Sequence, residues 1–334
     1  MGNMCTPVKA RIVSTGSYVP ERVLTNQDLE KIVDTTDEWI WTRTGMKERR
    51  IAAEGEFTSD MGFEAAKRAM EKGNVAPHEI DLILFATLTP DYLFPSTACL
   101  LQARLGATNA SALDIQAACT GYLYGISIAK AFIESGTYRT VLVVASEKLS
   151  SIVNYSDRST CVLFGDGAGA CIIRSEGKGF HIRDVTLGAD GEQSSLIMLP
   201  AGGSRSPASQ ETVAEGMHYL KMDGKETYKH AVRRMEAASR ETLLKAGIPE
   251  GDVDWIIPHQ ANIRIIEGLA KRFDMPMEKI YITLHKYGNT SASSLAIALD
   301  EFQAEKTLNP EKAILLVAFG AGVAWGASTL IYGD

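Results

Sequence analysis

Val141-Leu142-Val143-Val144-Ala145 and Ile314-Leu315-Leu316-Val317-Ala318 are two unbroken apolar runs lying 173 residues apart. Runs this short, rich in Val, Ile and Leu, read as strands buried on both faces. The same offset carries Lys72, Val75, Ile80, Asp81 and Ile83 onto Lys245, Ile248, Val253, Asp254 and Ile256. Two separated segments agreeing without a relative gap mark a duplicated chain. A third pair, Phe164-Gly165-Asp166-Gly167 and Phe319-Gly320-Ala321-Gly322, lies at offset 155, so the first half carries 18 extra residues (173 − 155) between Ala145 and Phe164. That insertion, residues 146–163, holds Glu147 to Leu163, including Arg158. Long inserted loops are often functional.

Around these runs, strand and helix patterns alternate. Helices are expected at Thr25–Val33, Ser59–Lys72, Cys119–Glu134, Tyr228–Ala246, Arg264–Phe273 and Ser291–Gln303. Thr25 with Asp28 has the spacing of a capping box, and Gly73 and Gly247 stand near helix ends. Buried strands are expected at Asp81–Leu88, Thr140–Ser146, Gly169–Arg174, Asp254–Pro258, Ala313–Phe319 and Ala324–Tyr332. The alternation predicts α/β layers in two pseudo-symmetric halves, 1–178 and 179–334, with the site at their junction.

Composition sets the outer bounds. A chain of 334 residues with 45% apolar and 22% charged residues is ordinary for a globular protein. A net charge of −7 argues against a nucleic-acid-coating protein. The sequence carries no stretch of membrane-spanning length and no signal-peptide core at its start, so a cytoplasmic protein is expected. Met1-Gly2-Asn3-Met4-Cys5-Thr6 fits the loose myristoylation pattern, but nothing nearby supplies a second anchor. The five cysteines, Cys5, Cys99, Cys119, Cys161 and Cys171, form no CxxC pair and no zinc-like cluster, which fits a reducing compartment and no metal. Gly165-Asp166-Gly167-Ala168-Gly169 lacks the P-loop lysine and the full GxGxxG spacing, and reads as a tight strand connection.

Three side chains carry the chemistry. Cys119, in Gln116-Ala117-Ala118-Cys119-Thr120-Gly121, stands where strand character turns into an apolar helix. Helix dipoles there are expected to lower its thiol pKa and favour attack on a thioester. Taken alone, the cysteine also fits a small core residue. His259 follows the strand run Asp254–Pro258, at the strand end where α/β sheets bind ligands. Asn289 follows Gly288 in a turn that leads to a helix; by itself it also fits a turn or cap. A nucleophile, a proton-handling imidazole and a neutral donor suit carbon–carbon bond formation on thioesters.

Taken together, Asp37-Glu38-Trp39-Ile40, Arg43-Thr44-Gly45, Ala117–Gly121, Phe164–Gly169, His259-Gln260-Ala261-Asn262 and Gly288-Asn289-Thr290-Ser291 resemble the β-ketoacyl-[acyl-carrier-protein] synthase III family of condensing enzymes across nearly the whole chain. The Cys-His-Asn set separates that group from elongating synthases, which use Cys-His-His, and from thiolases, which use a second cysteine. The resemblance implies a thiolase-like, duplicated α/β/α/β/α five-layered sandwich and a homodimer. It implies that Cys119 takes an acyl group, acetyl from acetyl-CoA, with acyl-CoA as substrate and no metal or other cofactor. Malonyl-acyl carrier protein would then lose carbon dioxide while His259 and Asn289 stabilise the enolate. The oxyanion hole would be the backbone N–H groups of Cys119 and Ala321, the latter glycine in many relatives. The resemblance further implies CoA contacts at Trp39, Arg43, Arg158 and Asn262, with Trp39 and Arg158 sandwiching adenine. Phe94, reaching across a dimer, and Phe319 would line the acyl pocket. Gln260, Ala261, Asn262, Ile263 and Arg264, with Lys229, Lys271 and Arg272, would meet the acidic carrier protein; Arg233 shares a helix face with Lys229.

Other functions remain to be weighed against this. Cys-His-Asn also occurs in papain-like hydrolases, which the duplicated α/β pattern disfavours. A related thiolase-fold acyltransferase, a polyketide-type synthase with another primer, and a non-enzymatic carrier-protein binder are alternatives. Carbon dioxide release from malonyl-acyl carrier protein separates these.

Overall fold

The structure, a computed structural model, describes residues 8–310 and 312–333. The loose myristoylation pattern at Met1–Thr6 and Cys5 lie outside the described residues. Among the described residues the main sheet has nine strands: β1 (Arg11–Tyr18), β2 (Leu82–Ala86), β3 (Ser111–Ile115), β4 (Thr140–Glu147), β5 (Gly167–Arg174), β6 (Gly179–Ala189), β7 (Val253–Pro258), β8 (Ala313–Gly320) and β9 (Ala324–Gly333). Their order is β7-β8-β9-β6-β1-β5-β4-β2-β3. The two halves meet where β1 and β6 pair, Arg11 with His181 and Ile12 with Phe180, and Ile182 N–H donates to Ala10 O just beyond.

The duplication extends to pairing and facing. β2 runs parallel to β4 with Ile83 opposite Leu142; β7 runs parallel to β8 with Ile256 opposite Leu315, each partner 173 residues on. β3 lies parallel to β2, and a parallel bridge from Ile256 to Ile280 takes its place in the second half. Val141, Val143 and Ala145 of β4 face the same core as Ile314, Leu316 and Ala318 of β8. Leu142 and Val144 face one outer core, and Leu315 and Val317 the other. Burial on both faces is why these runs are apolar without alternation.

Helices fill three layers. Seven are used below: α1 (Asp37–Thr44), α2 (Thr58–Gly73), α3 (Thr97–Leu105), α4 (Gly121–Glu134), α5 (Gly224–Ala246), α6 (Ile263–Arg272) and α7 (Ser293–Glu305). α4 and α7 form the middle layer, with Leu123, Ile126, Leu295, Leu299 and Phe302 fully buried between the two halves of the sheet. Each such side chain contributes about 1.5–3 kcal/mol by leaving water. α2 and α3 cover the outer face of the first half, and α5 and α6 that of the second. The result is the five-layered, thiolase-like α/β/α/β/α architecture.

Departures from the sequence reading have local causes. The capping box forms, with Thr25 Oγ1 accepting from Asp28 N–H and Asp28 accepting from Thr25 N–H, but the helix stops at Glu30 rather than Val33. α5 begins at Gly224, four residues before the expected Tyr228, because Asp223 caps it by accepting from the N–H groups of Lys225 and Glu226. β1, β6, α1 and α3 were not expected, and β3 only as strand character ahead of Cys119. β1 hides its strand character behind Ser14, Thr15 and Ser17, whose hydroxyls donate to Ala69 O and to the Asp300 carboxylate. The glycine run is structural: a Cβ on Gly169 would stand 2.4 Å from that of Ala296, so α7 seats directly on β5. Asp166, buried within the run, accepts from Ala52 N–H, Ser150 N–H and the Ser150 hydroxyl. Among the described residues no helix is long and apolar enough to cross a membrane.

Candidate active site

Beyond β3 the chain turns through Ala118–Thr120 as one 3-10 turn before α4 starts at Gly121. Cys119 sits in that turn, backed by the end of β8: a Cβ on Gly320 would lie 2.8 Å from Cys119 Cβ and 2.9 Å from its N. The residue is half-buried and opens onto a cavity of about 1570 Å³. Its thiol does not behave as the sequence reading expected. Burial pushes it up to about 12, Ser291 pulls it down, and the Glu147 carboxylate raises it further. The α-helix begins two residues beyond the sulfur, and desolvation outweighs the dipole. The resting group is therefore a thiol, not a thiolate.

His259 follows β7, with its N–H donating to Val317 O at 2.7 Å. Its ring is buried, and burial takes its pKa down to about 3, so the imidazole is neutral. Nδ1 lies 2.6 Å from Ser294 Oγ, and that same oxygen accepts from Gln260 N–H at 3.4 Å. The hydroxyl keeps its own proton to donate, and in the tautomer that accepts it at Nδ1 the ring is held by Ser294. In that tautomer the proton stands on Nε2, available as a donor. Asn289 is oriented in the same manner: its Oδ1 accepts from Ser291 N–H at 2.8 Å, directing Nδ2 to the cavity.

Ala118 has φ 44° and Ser291 has φ 51°, both left-handed values rare for non-glycine residues. They lie 173 residues apart (291 − 118), the offset of the strands. The turn presenting Cys119 and the turn presenting Asn289 are thus pseudo-symmetric copies, each strained where the chain enters a middle-layer helix.

The cavity brings Cys119, His259, Asn289, Phe319 and Ala321 together, with Trp39, Arg43, Ala261, Asn262, Lys229, Arg264 and Lys271 toward its outer part. Trp39 of α1 carries two guanidinium groups, Arg158 at 4.9 Å and Arg43 at 5.6 Å from the ring centroid. Arg158 also donates to Asp34 O. At 4.9 Å the gap between Trp39 and Arg158 is too narrow for a purine, so the expected adenine sandwich is closed here.

Several expected contacts are placed differently. Gln260 is 1% exposed; its Nε2 donates to Pro258 O and Tyr281 O, and its Oε1 accepts from Thr283 and Leu284 N–H. It braces the His259 loop and cannot meet a carrier protein. Asn262 caps α6 by accepting from Arg264 N–H. Ile263 packs against Gly45 at the end of α1. Arg272 pairs with Glu236 at 3.5 Å, and Lys229 with Glu226 at 2.6 Å. Arg233 is exposed and away from the cavity lining, whereas Lys225, not singled out by sequence, joins it. Phe94 is 85% exposed and lies outside this chain's own cavity, as do its exposed neighbours Tyr92 and Leu93. Sequence reasoning also assigned no role to Ser294, Gly320 or Glu147. Glu147 left a signal: a carboxylate closing the apolar run Val141–Ala145 has to be buried with it.

The chain matches the family models for 3-oxoacyl-[acyl-carrier-protein] synthase III over residues 113–191 and for the C-terminal part of that enzyme over residues 243–332. It is 57% identical over 323 residues to a β-ketoacyl-[acyl-carrier-protein] synthase III of Chlamydia caviae, covering 96% of each chain. A β-ketoacyl-[acyl-carrier-protein] synthase III of Caldanaerobacter subterraneus is 53% identical, with 98% of this chain and 99% of the relative covered. The crystal structure of 3-oxoacyl-[acyl-carrier-protein] synthase III from Aquifex aeolicus superposes with a TM-score of 0.89 at 48% identity, covering 97% of this chain and 100% of that one.

Proposed function

The chain belongs to the β-ketoacyl-[acyl-carrier-protein] synthase III family, and on that premise we propose how its cavity performs the reaction. It is an acyltransferase that condenses an acyl-CoA with malonyl-acyl carrier protein, the initiating step of fatty-acid synthesis. Cys119 Sγ attacks the thioester carbonyl and CoA leaves. Malonyl-acyl carrier protein then loses carbon dioxide while His259 Nε2–H and Asn289 Nδ2–H donate to the enolate oxygen. The enolate carbon attacks the acyl-Cys119 carbonyl, whose developing oxyanion takes the N–H groups of Cys119 and Ala321. The observation that carries this reading is the orientation of the two donors: Ser294 fixes the imidazole and Ser291 N–H fixes the amide, both neutral and both lining the cavity with Cys119. Neutral donors stabilise negative charge without surrendering a proton.

The primer is acetyl-CoA in this reading, with Phe319 as one wall of the acyl pocket. Trp39, Arg43 and Arg158 take the nucleotide end of CoA, and Asn262 stands near it while capping α6. Lys229, Arg264 and Lys271 at the cavity's outer part, with Arg272 behind them, steer the acidic carrier protein. Acyl-CoA is a substrate rather than a bound cofactor, and the nucleophile and two donors need no metal. The enzyme works as a homodimer in which Phe94, with Tyr92 and Leu93, leaves water against a second copy; three consecutive side chains 60–85% exposed support this. Free Cys99, Cys119, Cys161 and Cys171 support a cytoplasmic location.

Partitioning the two stages tests the assignment. His259→Ala and Asn289→Ala are expected to acylate Cys119, read by intact mass, while releasing little carbon dioxide from malonyl-acyl carrier protein. Variants that decarboxylate normally but fail to acylate would reverse the roles.

A further inference from the structure

Glu147 closes β4 and is fully buried. One oxygen, Oε2, accepts from Leu88 N–H (3.1 Å), Thr89 N–H (3.2 Å), Thr89 Oγ1 (2.6 Å) and Thr87 Oγ1 (3.1 Å). The other, Oε1, is buried without a protein donor, and Ser291 Oγ is buried without completing a hydrogen bond of normal geometry. Yet the Ser291 hydroxyl is near enough to both the Cys119 thiol and the Glu147 carboxyl to lower the pKa of each. One unpartnered buried hydroxyl, Ser291 Oγ, therefore neighbours both the reactive sulfur and a carboxyl whose Oε1 is itself unpartnered, and a buried carboxylate without a full set of donors is costly to keep. The strained Ser291 backbone, with φ 51°, holds the hydroxyl there.

We propose that Ser291 and Glu147 form a proton relay for Cys119. As Sγ bonds to the thioester carbonyl carbon, the S–H proton passes to Ser291 Oγ and the Ser291 proton passes to Glu147. The carbon–sulfur bond to CoA breaks, and CoA leaves as a thiolate that takes its proton from solvent. Glu147 stays protonated through the acyl-enzyme stage. When condensation expels Cys119 as a thiolate, the proton returns by the same path and the carboxylate is restored. Ser291 lines the cavity beside the reacting sulfur, and Glu147 acts through it as a positioning and proton-holding group.

Burial, opposed by the Thr89 and Leu88 donors, pushes the Glu147 carboxyl up to about 7, so both of its forms are accessible near neutrality. The ionisable groups around it are otherwise engaged. Lys148 turns its ammonium to Glu56 O and over the Phe57 ring, Asp166 is held by Ser150 and Ala52, and His259 is neutral. This leaves Cys119, across Ser291, as the group that exchanges a proton with Glu147.

The inference rests on Cys119 being the acyl acceptor, and the experiment separates the two. Single-turnover acylation by acetyl-CoA is followed by intact mass from pH 5.5 to 9 in the wild type, Ser291→Ala and Glu147→Gln, as rough working limits for a histidine- and carboxylate-range titration. Both variants are expected to acylate about 100-fold more slowly and to lose the wild-type inflection near neutrality. Infrared difference spectra of the wild type should gain a protonated-carboxyl band on acylation, absent in Glu147→Gln. Wild-type rates and pH profile in both variants, or no such band, overturn the relay while leaving the condensing function standing. If Glu147→Gln does not fold, Ser291→Ala and the wild-type band decide. A wild type that takes up no acyl group on Cys119 overturns the parent reading and the relay with it.

Discussion

Gly320→Ala is expected to disable acylation through sterics alone. The added methyl would stand 2.8 Å from Cys119 Cβ and 2.9 Å from Cys119 N. Carbon–carbon contacts are comfortable from about 3.5 Å, so roughly 0.7 Å of displacement is needed (3.5 − 2.8). Little of it can come from Gly320, which is paired with Ala324 at the end of β8, itself buried on both faces. The turn Ala118–Thr120 must therefore move, and it already carries a left-handed Ala118. Overpacking of this kind costs about 1–3 kcal/mol of stability. A displacement approaching 1 Å at a nucleophile costs up to about 100-fold in rate. Single-turnover acylation of Cys119 by acetyl-CoA, read by intact mass, should slow by about 10- to 100-fold, and urea unfolding should show the stability loss. Gly251→Ala is the control, since a Cβ there meets nothing within 4 Å. Wild-type acylation and stability in Gly320→Ala would refute the close backing of Cys119 by β8.

Three further outcomes follow from particular contacts. Ser294→Ala removes the partner of His259 Nδ1, 2.6 Å away, and should reduce carbon dioxide release by about 10-fold or more while sparing acylation; equal loss in both stages would show general damage instead. Trp39→Ala removes the ring beneath Arg158 and Arg43 and should raise KM for acyl-CoA by roughly 5- to 30-fold, a loss of about 1–2 kcal/mol, with kcat little changed; a fall in kcat at constant KM would contradict a binding role. The third concerns acid. Folded His259 resists protonation down to about pH 3, whereas an unfolded imidazole takes its proton near 6.5, so lowering the pH favours unfolding. Between pH 6.5 and 5 the wild type should lose about 1.7 kcal/mol relative to His259→Gln (1.5 pH units at about 1.4 kcal/mol each, less about 0.4 because the unfolded ring is already half protonated at pH 6.5), measured by urea unfolding at both pH values. A pH-independent difference would mean the ring is solvated.

Much of the fold was legible because the duplication is written in apolar runs. β4 and β8 have no alternation to misread, and their offset reappears in strand pairing, in facing, and in the strained pair Ala118 and Ser291. β1 was not legible, because a central strand rich in Ser and Thr depends on Ala69 O and Asp300, which arrive from elsewhere in the chain. The residues around the cavity were nameable from motifs, but their states were not. The thiol pKa depends on burial that no local spacing reveals, and so came out opposite to the helix-dipole expectation. Gln260 sits beside His259 in sequence yet turns inward to satisfy four backbone groups. Glu147, Ser294 and Gly320 reach the site from three separate elements, a proximity that only the folded chain displays.

The central claim is that Cys119 carries the acyl group between two substrates, and an isotope chase tests it most directly. Acetyl-CoA labelled with carbon-13 at the carbonyl is mixed with the protein, the acyl-enzyme is isolated, and malonyl-acyl carrier protein is added. The label is expected on Cys119 first and then at the 3-oxo carbon of the carrier-bound product, one carbon dioxide appearing per label transferred, with neither species formed by Cys119→Ala. Labelled product from Cys119→Ala, or a Cys119 adduct that malonyl-acyl carrier protein fails to discharge, would contradict the account.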